Sequence, residues 1–404
     1  MPSLKKVLAV VLFLLVGQTA LSQNYRGFRE ESEAIARNAR FSLGPFRFYP
    51  MLALKNVGYD DNIYFEGPAV SDYTGTVSPG INVFLPFHNS LILSFMDNPE
   101  YVFFLKQKSQ RTFTNSFSLG LKYLLFYRFV LSAGYRHSEY REPVSSELFR
   151  PTTNVTKGYN ASFFYETARK TSIGVAWEVV SFGYQNVDAA GVRFPLAETL
   201  DRKEKTGSLE FYYQLYPESF FFTKFGRTEY DFASIQSAGR NASSVYGLAG
   251  IRFPLAGFVR GLLSLGYRKF LPAAEGKKTF SGFFGDTGLD IRRGKLGVRV
   301  QYGRDIVFSY NPDDYYFIDH NYGLGLSYYP TEFLRFDYNY SQRILEYSEI
   351  VRQDRQTGHS AGFVIRVYRD VGLGLAWNYS KWTSTPLGFA RKRNSIGATL
   401  TYQF

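Results

Sequence analysis

The stretch TFTNSFSLGLKYLL, residues 112–125, decides the fold because apolar and polar residues alternate along it with a period of two. Phe117 and Leu119 fall on one face of such a run, and Ser118 and Lys122 fall on the other. A period of two is typical of a β-strand with one apolar and one polar face. The run is longer than the roughly five or six residues usual in soluble sheets. It suffices to cross a bilayer at a tilt, which takes about 9 to 11 residues.

The same alternation recurs from about residue 50 to the carboxyl terminus, for example along 371–380 and 396–404. A soluble β-sandwich would alternate too, but with shorter strands. Lipid cannot satisfy the backbone groups of an open sheet edge, so a sheet of membrane-spanning strands must close on itself. The sequence therefore predicts an all-β fold, a single transmembrane, antiparallel, up-and-down β-barrel of eighteen strands, within a range of 16–20. The predicted strands start near residues 50, 72, 90, 112, 128, 158, 171, 206, 219, 244, 257, 279, 295, 318, 333, 358, 371 and 394.

Short and long connections alternate between these runs. Short turns such as Tyr127-Arg128 and Pro330 to Glu332 alternate with longer polar loops, the largest at 142–157 and 187–205. Outer-membrane barrels have short periplasmic turns and longer extracellular loops, and an even strand count places both termini in the periplasm. Aromatic residues at the run ends predict one girdle at each membrane interface. The predicted outer girdle comprises Tyr140, Tyr184, Tyr230, Phe270, Phe308 and Tyr347.

The amino-terminal residues have the pattern of a secretory signal. Lys5 and Lys6 precede an apolar core, Val7 to Val16, and Ala20-Leu21-Ser22 is a small-x-small cleavage site. The apolar core is far shorter than the about 20 residues of a spanning helix, which disfavours a retained anchor. Residues 24–40 are the one helix-like stretch that follows. The predicted division is a signal peptide at 1–22, a periplasmic lead-in at 23–49 and an outer-membrane barrel at 50–404.

Composition excludes several classes of function. The 404 residues contain no cysteine, so disulfides, thiolate metal sites and cysteine nucleophiles are excluded. The formal net charge of +12 would suit nucleic acid, but export and barrel patterning outweigh it. His88, His137, His320 and His359 stand in no metal-ligand or nucleophile spacing. We therefore expect no enzyme activity, no cofactor, no metal site and no nucleic-acid partner.

The charged residues of the polar strand faces are expected to line the lumen. Barrels of 16 to 18 strands leave a water-filled channel unless something plugs them. An excess of guanidinium groups would favour anions and acidic sugars, although mixed charge could also do no more than hydrate the wall. The predicted charged lumen residues are Lys122, Arg136, Arg260, Arg268, Arg299, Arg335, Arg343, Arg366, Glu166, Glu178, Glu210, Asp286, Asp290 and Asp337. The aromatic lumen candidates, which would stack on sugar rings or only fill space, are Tyr212, Tyr216, Tyr329 and Tyr368.

The entrance to the barrel carries a resemblance to a known family. Gly44-Pro45-Phe46-Arg47-Phe48-Tyr49-Pro50 is followed by Gly58-Tyr59-Asp60-Asp61-Asn62. This resembles the putative beta-barrel porin 2 family, whose members begin with a comparable run ending in Tyr-Asp-Asp-Asn. Members are often found in exopolysaccharide biosynthesis operons. The resemblance implies an outer-membrane barrel that helps an exported polysaccharide cross the last membrane, with polysaccharide-export proteins as partners.

The last strand ends in Tyr402-Gln403-Phe404. It looks like the aromatic-terminated signal that the outer-membrane barrel assembly machinery reads, so Tyr402 and Phe404 are the expected assembly signal and that machinery an expected partner. Outer-membrane lipid is the other expected partner.

Together these patterns predict an outer-membrane channel, reached by signal-peptide export, that assists exopolysaccharide export or the diffusion of polar and anionic solutes. One alternative is a closed surface barrel whose lumen is blocked by loops such as 187–205. A remote alternative is an outer-membrane hydrolase, an activity that some small barrels possess.

Overall fold

The computed structural model describes most of the chain from residue 39 to residue 403, together with Phe28, residues 31–33 and Ile35. The predicted signal peptide and the terminal Phe404 lie outside the described residues. Among the residues described, no helix is long and apolar enough to cross a membrane. The gaps between residues 39 and 403 are 66–67, 88–89, 143–146, 148–150, 168–169, 190–191, 217–218, 256–257, 312–313, 369, 387 and 389.

Eighteen long strands form the wall of the molecule, and three short strands and three short helices accompany them in the described residues. The short elements are β1 (Phe41–Leu43), β9 (Val187–Ala189), β10 (Val192–Phe194), the α-helix α1 (Leu196–Leu200) and 3-10 helices at Lys108–Gln110 and Ile235–Arg240. The wall strands are β2 (Phe46–Asp60), β3 (Asp72–Phe87), β4 (Leu91–Phe104), β5 (Thr112–Leu125), β6 (Phe129–Glu142), β7 (Thr152–Glu166), β8 (Thr171–Tyr184), β11 (Arg202–Tyr216), β12 (Ser219–Phe232), β13 (Ala242–Leu255), β14 (Val259–Pro272), β15 (Phe280–Arg293), β16 (Leu296–Phe308), β17 (Tyr316–Tyr328), β18 (Leu334–Tyr347), β19 (Gln353–Tyr368), β20 (Val371–Thr385) and β21 (Ala390–Gln403).

Each wall strand pairs antiparallel with the next wall strand along the chain, and β2 pairs with β21 to close the barrel. The predicted closed barrel of eighteen antiparallel strands is therefore confirmed. The strands are longer than predicted at their extracellular ends. β7 begins at Thr152, and β11 begins at Arg202, so the loops before them are shorter than the sequence indicated. β2 begins at Phe46, inside the stretch assigned to the lead-in, whose boundaries stay a prediction.

A bulge marks the seam where the barrel closes. The register between β2 and β21 shifts between Leu54 and Val57, and Asn56 takes a positive φ of 52° there. A Cβ on Gly58 would lie 1.9 Å from the backbone oxygen of Ile396, and one on Gly397 would lie 3.0 Å from the Cα of Asn56. Glycine is thus required at both positions, because the bulged backbone leaves no room for a side chain.

A tight periplasmic turn joins β5 to β6. Phe126 and Tyr127 have φ angles of 48° and 62°, and the amide of Arg128 donates to the carbonyl of Leu125 over 3.1 Å. Two consecutive positive φ angles define a type I′ turn, whose twist matches that of the flanking strands. Both rings are more than three-quarters exposed. Exposed aromatic rings, above all those with a polar tip such as tyrosine, favour the level of the lipid headgroups.

Candidate functional site in the lumen

Cross-strand register separates the lumen face from the lipid face all around the barrel, because directly paired residues share a face. On β5, Phe113 and Leu119 are half-exposed and apolar, as a lipid face requires, whereas Leu124 on the opposite face is buried. Pairing carries this assignment from strand to strand. It places all fourteen predicted charged residues on the lumen face, while their part in solute passage stays a prediction.

Most of the predicted lumen cations are already paired with carboxylates. Arg260 and Arg366 form no ion pair with a described residue. The pairs are Lys122 with Glu31, Arg136 with Glu178 at 3.1 Å, Arg268 with Asp305 at 3.3 Å, Arg299 with Asp290 at 2.5 Å, Arg335 with Asp337 at 2.7 Å and Arg343 with Asp319 at 2.7 Å. Of the predicted acids, Glu210 forms an ion pair with Lys224 at 3.0 Å. Glu166, Glu178 and Asp286 lie on the lumen faces of β7, β8 and β15.

The lumen wall at the periplasmic ends of β13 to β19 is strongly basic. Its charged side chains, which we call the arginine arc, are Arg252, Arg260, Arg292, Arg299, Arg335 and Arg366. On the same part of the wall the carboxylates are Asp290 and Asp337, which bind Arg299 and Arg335. Arg252 has a further interaction partner, and the other five guanidinium groups exceed the two described carboxylates of this part of the wall by three positive charges.

The sequence reasoning missed two members of the arc, Arg252 and Arg292. Both alternate with apolar outward residues, as Arg292 does with Ile291, and this period-two signal could have found them. The guanidinium of Arg292 stacks on the ring of Tyr329 at 4.1 Å, so this predicted aromatic residue supports the arc.

An apolar belt occupies the lumen face from β3 to β15, where a wet, charged wall was expected, and it shares β13 to β15 with the arginine arc. Phe164 and Tyr212 have ring centroids 5.9 Å apart, and Tyr212 and Phe222 stack at 6.1 Å. The Tyr212 hydroxyl donates to Oε2 of Glu210 over 2.6 Å. These apolar residues lie on the inward phase beside the predicted charged positions, and the aromatic lumen candidate Tyr212 is one of them. The apolar belt comprises Ile92, Leu124, Val130, Phe164, Tyr212, Phe222, Tyr246, Leu248 and Phe284, with Phe84 and Leu262 packed against them.

Side chains from the predicted lead-in cover this belt. Phe28 is 1% exposed and Ile35 is 7% exposed, and both belong to the same cluster as the belt. Both positions are helical, and their spacing of seven residues is one that places two side chains on the same face of a helix. The described side chains Phe28 and Ile35 of the predicted lead-in therefore lie against the lumen wall.

Two polar contacts accompany this packing. Glu31 forms an ion pair with Lys122 of β5, and the Tyr49 hydroxyl donates to the carbonyl oxygen of Ile35 over 2.7 Å. We call Phe28, Glu31 and Ile35 the plug residues. They are held at the lumen wall by apolar burial, one ion pair and one hydrogen bond.

Two of the aromatic lumen candidates leave the lumen face. Register shifts between Gln214 and Tyr216 and between Arg366 and Tyr368 place both tyrosines beyond a bulge. Tyr368 then pairs with Val371, which lies on the lipid face, and both tyrosines are more than 70% exposed. Strict alternation along the sequence cannot register an extra residue, so it assigned Tyr216 and Tyr368 to the wrong face.

At the extracellular side, the ends of β16 and β17 lean into the lumen. Pairing between β15 and β16 stops at Gly285 opposite Arg304, although both strands continue beyond it. Phe308 lies 5.2 Å from Tyr230 and 5.1 Å from Phe232, whose side chains point into the barrel from β12. The face of β16 and β17 that contacts lipid lower down thus packs against the inner wall near the extracellular end.

This arrangement corrects the predicted outer aromatic girdle. Tyr230, Phe270 and Phe308 belong to one buried cluster, and Phe270 is 1% exposed. Tyr347 is buried in a second cluster with Phe317, and Tyr184 packs beside a third. Tyr184, Tyr230, Phe270 and Tyr347 face inward by strand phase, as Tyr140 does by its pairing with the buried Asn154. Phe308 has the outward phase and is buried because its hairpin leans inward.

Loop residues hold the leaning hairpin in place. The buried Arg240 guanidinium donates to the carbonyl oxygens of Ser309 at 2.7 Å and Tyr315 at 3.0 Å. Glu147 accepts a hydrogen bond from the Ser309 hydroxyl and another from the Tyr310 amide. Burial lowers the pKa of Arg240 to about 10 and raises the pKa of the Glu147 carboxyl.

Two of the described histidines lie on the lipid face of the barrel. His137 stacks on Phe117 with centroids 5.2 Å apart, and His359 accepts or donates a hydrogen bond with the Tyr338 hydroxyl at 2.9 Å, both on the lipid face. Within the described part of the chain, no group of three or more histidines or carboxylates could hold a metal ion.

Comparison with known proteins agrees with this geometry. The family model described as putative beta-barrel porin 2 matches residues 41–404. No curated relative matches the chain at a significant level.

Several solved structures share the fold at low sequence identity. OccK2 (OpdF) of Pseudomonas aeruginosa is 9% identical, with a TM-score of 0.52 over 88% of this chain and 98% of that chain. The outer membrane protein opdK of the same organism is 9% identical, with a TM-score of 0.51 over 88% and 98%. OccAB4 of Acinetobacter baumannii is 8% identical, with a TM-score of 0.50 over 88% and 98%.

Proposed function

The chain belongs to the putative beta-barrel porin 2 family, and we propose that its barrel passes anionic solutes, acidic saccharides among them. It is a porin-like channel of the outer membrane, as its family and its eighteen-stranded barrel indicate. The observation that carries the choice of solute is the arginine arc. Without Arg252, which has a further partner, its guanidinium groups outnumber the neighbouring described carboxylates by three on one part of the lumen wall.

Segregation of charge favours this proposal over a wall that is only hydrated. Ion pairs with no net charge would set a weak ion preference, whereas a one-sided excess of cations raises the local anion concentration. Arg260 and Arg366 lack a carboxylate partner among the described residues, so their charge is available to a solute. Guanidinium groups also bind carboxylates in a bidentate manner, which suits acidic sugars.

The plug residues restrict the same mouth of the barrel. Phe28 and Ile35 cover the apolar belt while the arginine arc stays on the remaining wall. Passage of a bulky solute then depends on undocking of these residues, whereas small anions can pass along the arc. The closed barrel is then one state of the channel, the state in which the plug residues are docked.

The saccharide assignment draws on the family resemblance, since members are often found in exopolysaccharide biosynthesis operons. Polysaccharide-export proteins and the barrel assembly machinery are the proposed partners, and signal-peptide export is the proposed route to the membrane. A non-enzymatic role belongs to the same proposal. It is supported by the dispersed histidines, because His137 and His359 lie on the lipid face, away from the lumen.

Ion selectivity tests the proposal. Reversal potentials would be measured across planar bilayers in a potassium chloride gradient for the purified protein and for a variant combining Arg260→Ser, Arg299→Ser and Arg335→Ser. We expect anion preference in the original protein and a shift toward cations in the variant, because the variant leaves Asp290 unpaired. The matched control is Lys203→Ser, a change on the lipid face that should leave the potential unchanged.

An unchanged reversal potential in the arc variant would remove the basis of the proposal. Acidic oligosaccharide added to the periplasmic side should block the current of the original protein more strongly than neutral oligosaccharide of the same length. Equal block by the two sugars would leave anion passage in place and refute the preference for acidic saccharides.

A further inference from the structure

A second group of cations lies on the outside of the barrel, where lipid is the neighbour. Lys381 of β20 and Lys392 of β21 are directly opposite each other, and their side chains share the face of Leu375 and Ile396. Directly opposed side chains have Cβ atoms about 4.5 to 5.5 Å apart, and like charges at such positions are destabilising. An opposed pair of this kind, without a carboxylate partner among the described residues, offers an anion a binding position between the two ammonium groups.

Arg355 extends this group to the next strand. It pairs with Thr383 of β20 and so stands diagonal to Lys381 on the same outer face. We call Arg355, Lys381 and Lys392 the outer basic patch. Each lies within five residues of the extracellular end of its strand, and Arg355 and Lys392 are exposed.

Neither of the two neighbouring carboxylates, Asp61 and Glu346, forms an ion pair with the patch. Asp61 accepts hydrogen bonds from the amide and the side chain of Asn394, at 2.7 and 2.8 Å. Glu346, diagonal to Arg355 across β18 and β19, lies 3.8 Å from His320. No residue of the outer basic patch forms an ion pair with a described residue, so the protein itself leaves the charge of the patch uncompensated.

An aromatic group lies directly below the patch on the same face. His359 has its ring centroid 5.9 Å from Tyr379, and Tyr379 is stacked 6.3 Å from Trp377. Tyr379 stands one outward position below Lys381. Amphipathic rings of this kind mark the level of lipid headgroups. The patch is therefore at the depth of the lipid headgroups on the extracellular side. It faces lipid, so solutes that pass through the lumen do not reach it.

We infer that the outer basic patch binds the phosphate groups of a lipopolysaccharide molecule in the outer leaflet. A phosphorylated saccharolipid supplies anions at the depth of Lys381 and Lys392, and its acyl chains lie against the wall below, beside Trp377. The three cations then take the place of the divalent ions that otherwise bridge such phosphates. The inference concerns the outer surface and does not depend on what passes through the lumen.

The test is native mass spectrometry of the detergent-purified protein titrated with bis-phosphorylated lipid A. The variant carries Arg355→Gln, Lys381→Gln and Lys392→Gln, and the matched control carries Lys157→Gln, Lys203→Gln and Lys269→Gln. The control residues are exposed lysines on the lipid face of other strands, without an ion pair among described residues. At about fivefold in affinity for each cation, the patch variant should bind on the order of a hundredfold more weakly, and the control should bind almost normally.

Lipid A lacking both phosphates should bind the original protein and the patch variant equally. Equal weakening in the patch variant and in the control, or unchanged binding in the patch variant, would overturn the inference. The single variant Lys381→Gln guards against misfolding of the triple variant. It removes one of two opposed charges, so its melting temperature in lipid-free micelles should be unchanged or higher while lipid A binding falls. A lower melting temperature with unchanged binding would show a structural role and refute a lipid site.

Discussion

Replacing Phe28 by alanine should undock the plug residues and open the periplasmic mouth of the barrel. The ring is 1% exposed and belongs to the cluster of lumen residues that forms the apolar belt. Alanine keeps helical propensity at this position, so the change removes the buried ring without breaking the backbone.

The size of the effect follows from the burial. Truncating a fully buried phenylalanine costs about 3 to 5 kcal/mol. The lower figure applies here because Phe28 docks against a wall that can rehydrate once it leaves. A loss of about 3 kcal/mol reduces the ratio of docked to undocked molecules by roughly a hundredfold. The Glu31–Lys122 ion pair and the Tyr49 hydrogen bond remain and oppose undocking.

Single-channel recording of the refolded protein measures this ratio as the fraction of time in the higher-conductance state. We expect long low-conductance intervals in the original protein and frequent high-conductance intervals in Phe28→Ala. The control is Phe41→Ala, because Phe41 lies in the same amino-terminal region but is 52% exposed.

Identical conductance and identical dwell times in Phe28→Ala and in the original protein would refute the reasoning. The same would hold if Phe41→Ala opened the channel equally, since the effect would then come from general loosening. Heat-modifiable migration on gels would show that each variant has formed its barrel.

Three further outcomes follow from the extracellular side. Burial raises the pKa of the Glu147 carboxyl in the docked state, so docking is strongest below the ordinary carboxyl pKa and weakens as pH rises from there through the raised pKa. Open-state occupancy should rise with pH over this range, and Glu147→Gln should abolish the dependence. Arg240→Ala leaves three loop carbonyls without their donor, at about 1 kcal/mol each, and limited proteolysis should then cut the β16–β17 loop within minutes, with persistent resistance contradicting the assignment. Asp319→Asn should lower the free energy of unfolding in urea titrations by about 1 to 2 kcal/mol, because it weakens the bidentate pair with Arg343. Asp231→Asn affects an exposed pair with Lys205 and should leave stability almost unchanged.

The barrel itself was predictable from local pattern. Alternation along 112–125 and seventeen further runs identified each wall strand, because a strand exposed to lipid on one face and to water on the other must alternate. Strand ends on the extracellular side were placed less well. β7 starts six residues before the predicted position, since Thr152 and Asn154 are polar but pair within the sheet.

The candidate site was predictable only in part. The charged lumen residues share one phase of each strand, and the register places them where the alternation did. Four arginines of the arc were predicted from the alternation. Arg252 and Arg292 were missed, although they follow the same phase as their neighbours. The plug residues were not assigned to the lumen, because Phe28 and Ile35 reveal an apolar helix face but not what that face packs against.

By itself, the sequence determined which backbone segments are strands, that they must close, and which face of each strand turns inward. Those features follow from a period of two and from the cost of unpaired backbone groups in lipid. The tertiary structure alone decided what fills the lumen. Phe308 and Tyr316 point by phase toward lipid, yet the inward lean of their hairpin buries them against β12 and β14. Likewise Phe28 shares one buried cluster with Phe164 and Tyr212 only because a closed barrel brings strands distant in sequence around one space. Burial inside a barrel depends on what occupies its centre, and no local period encodes that.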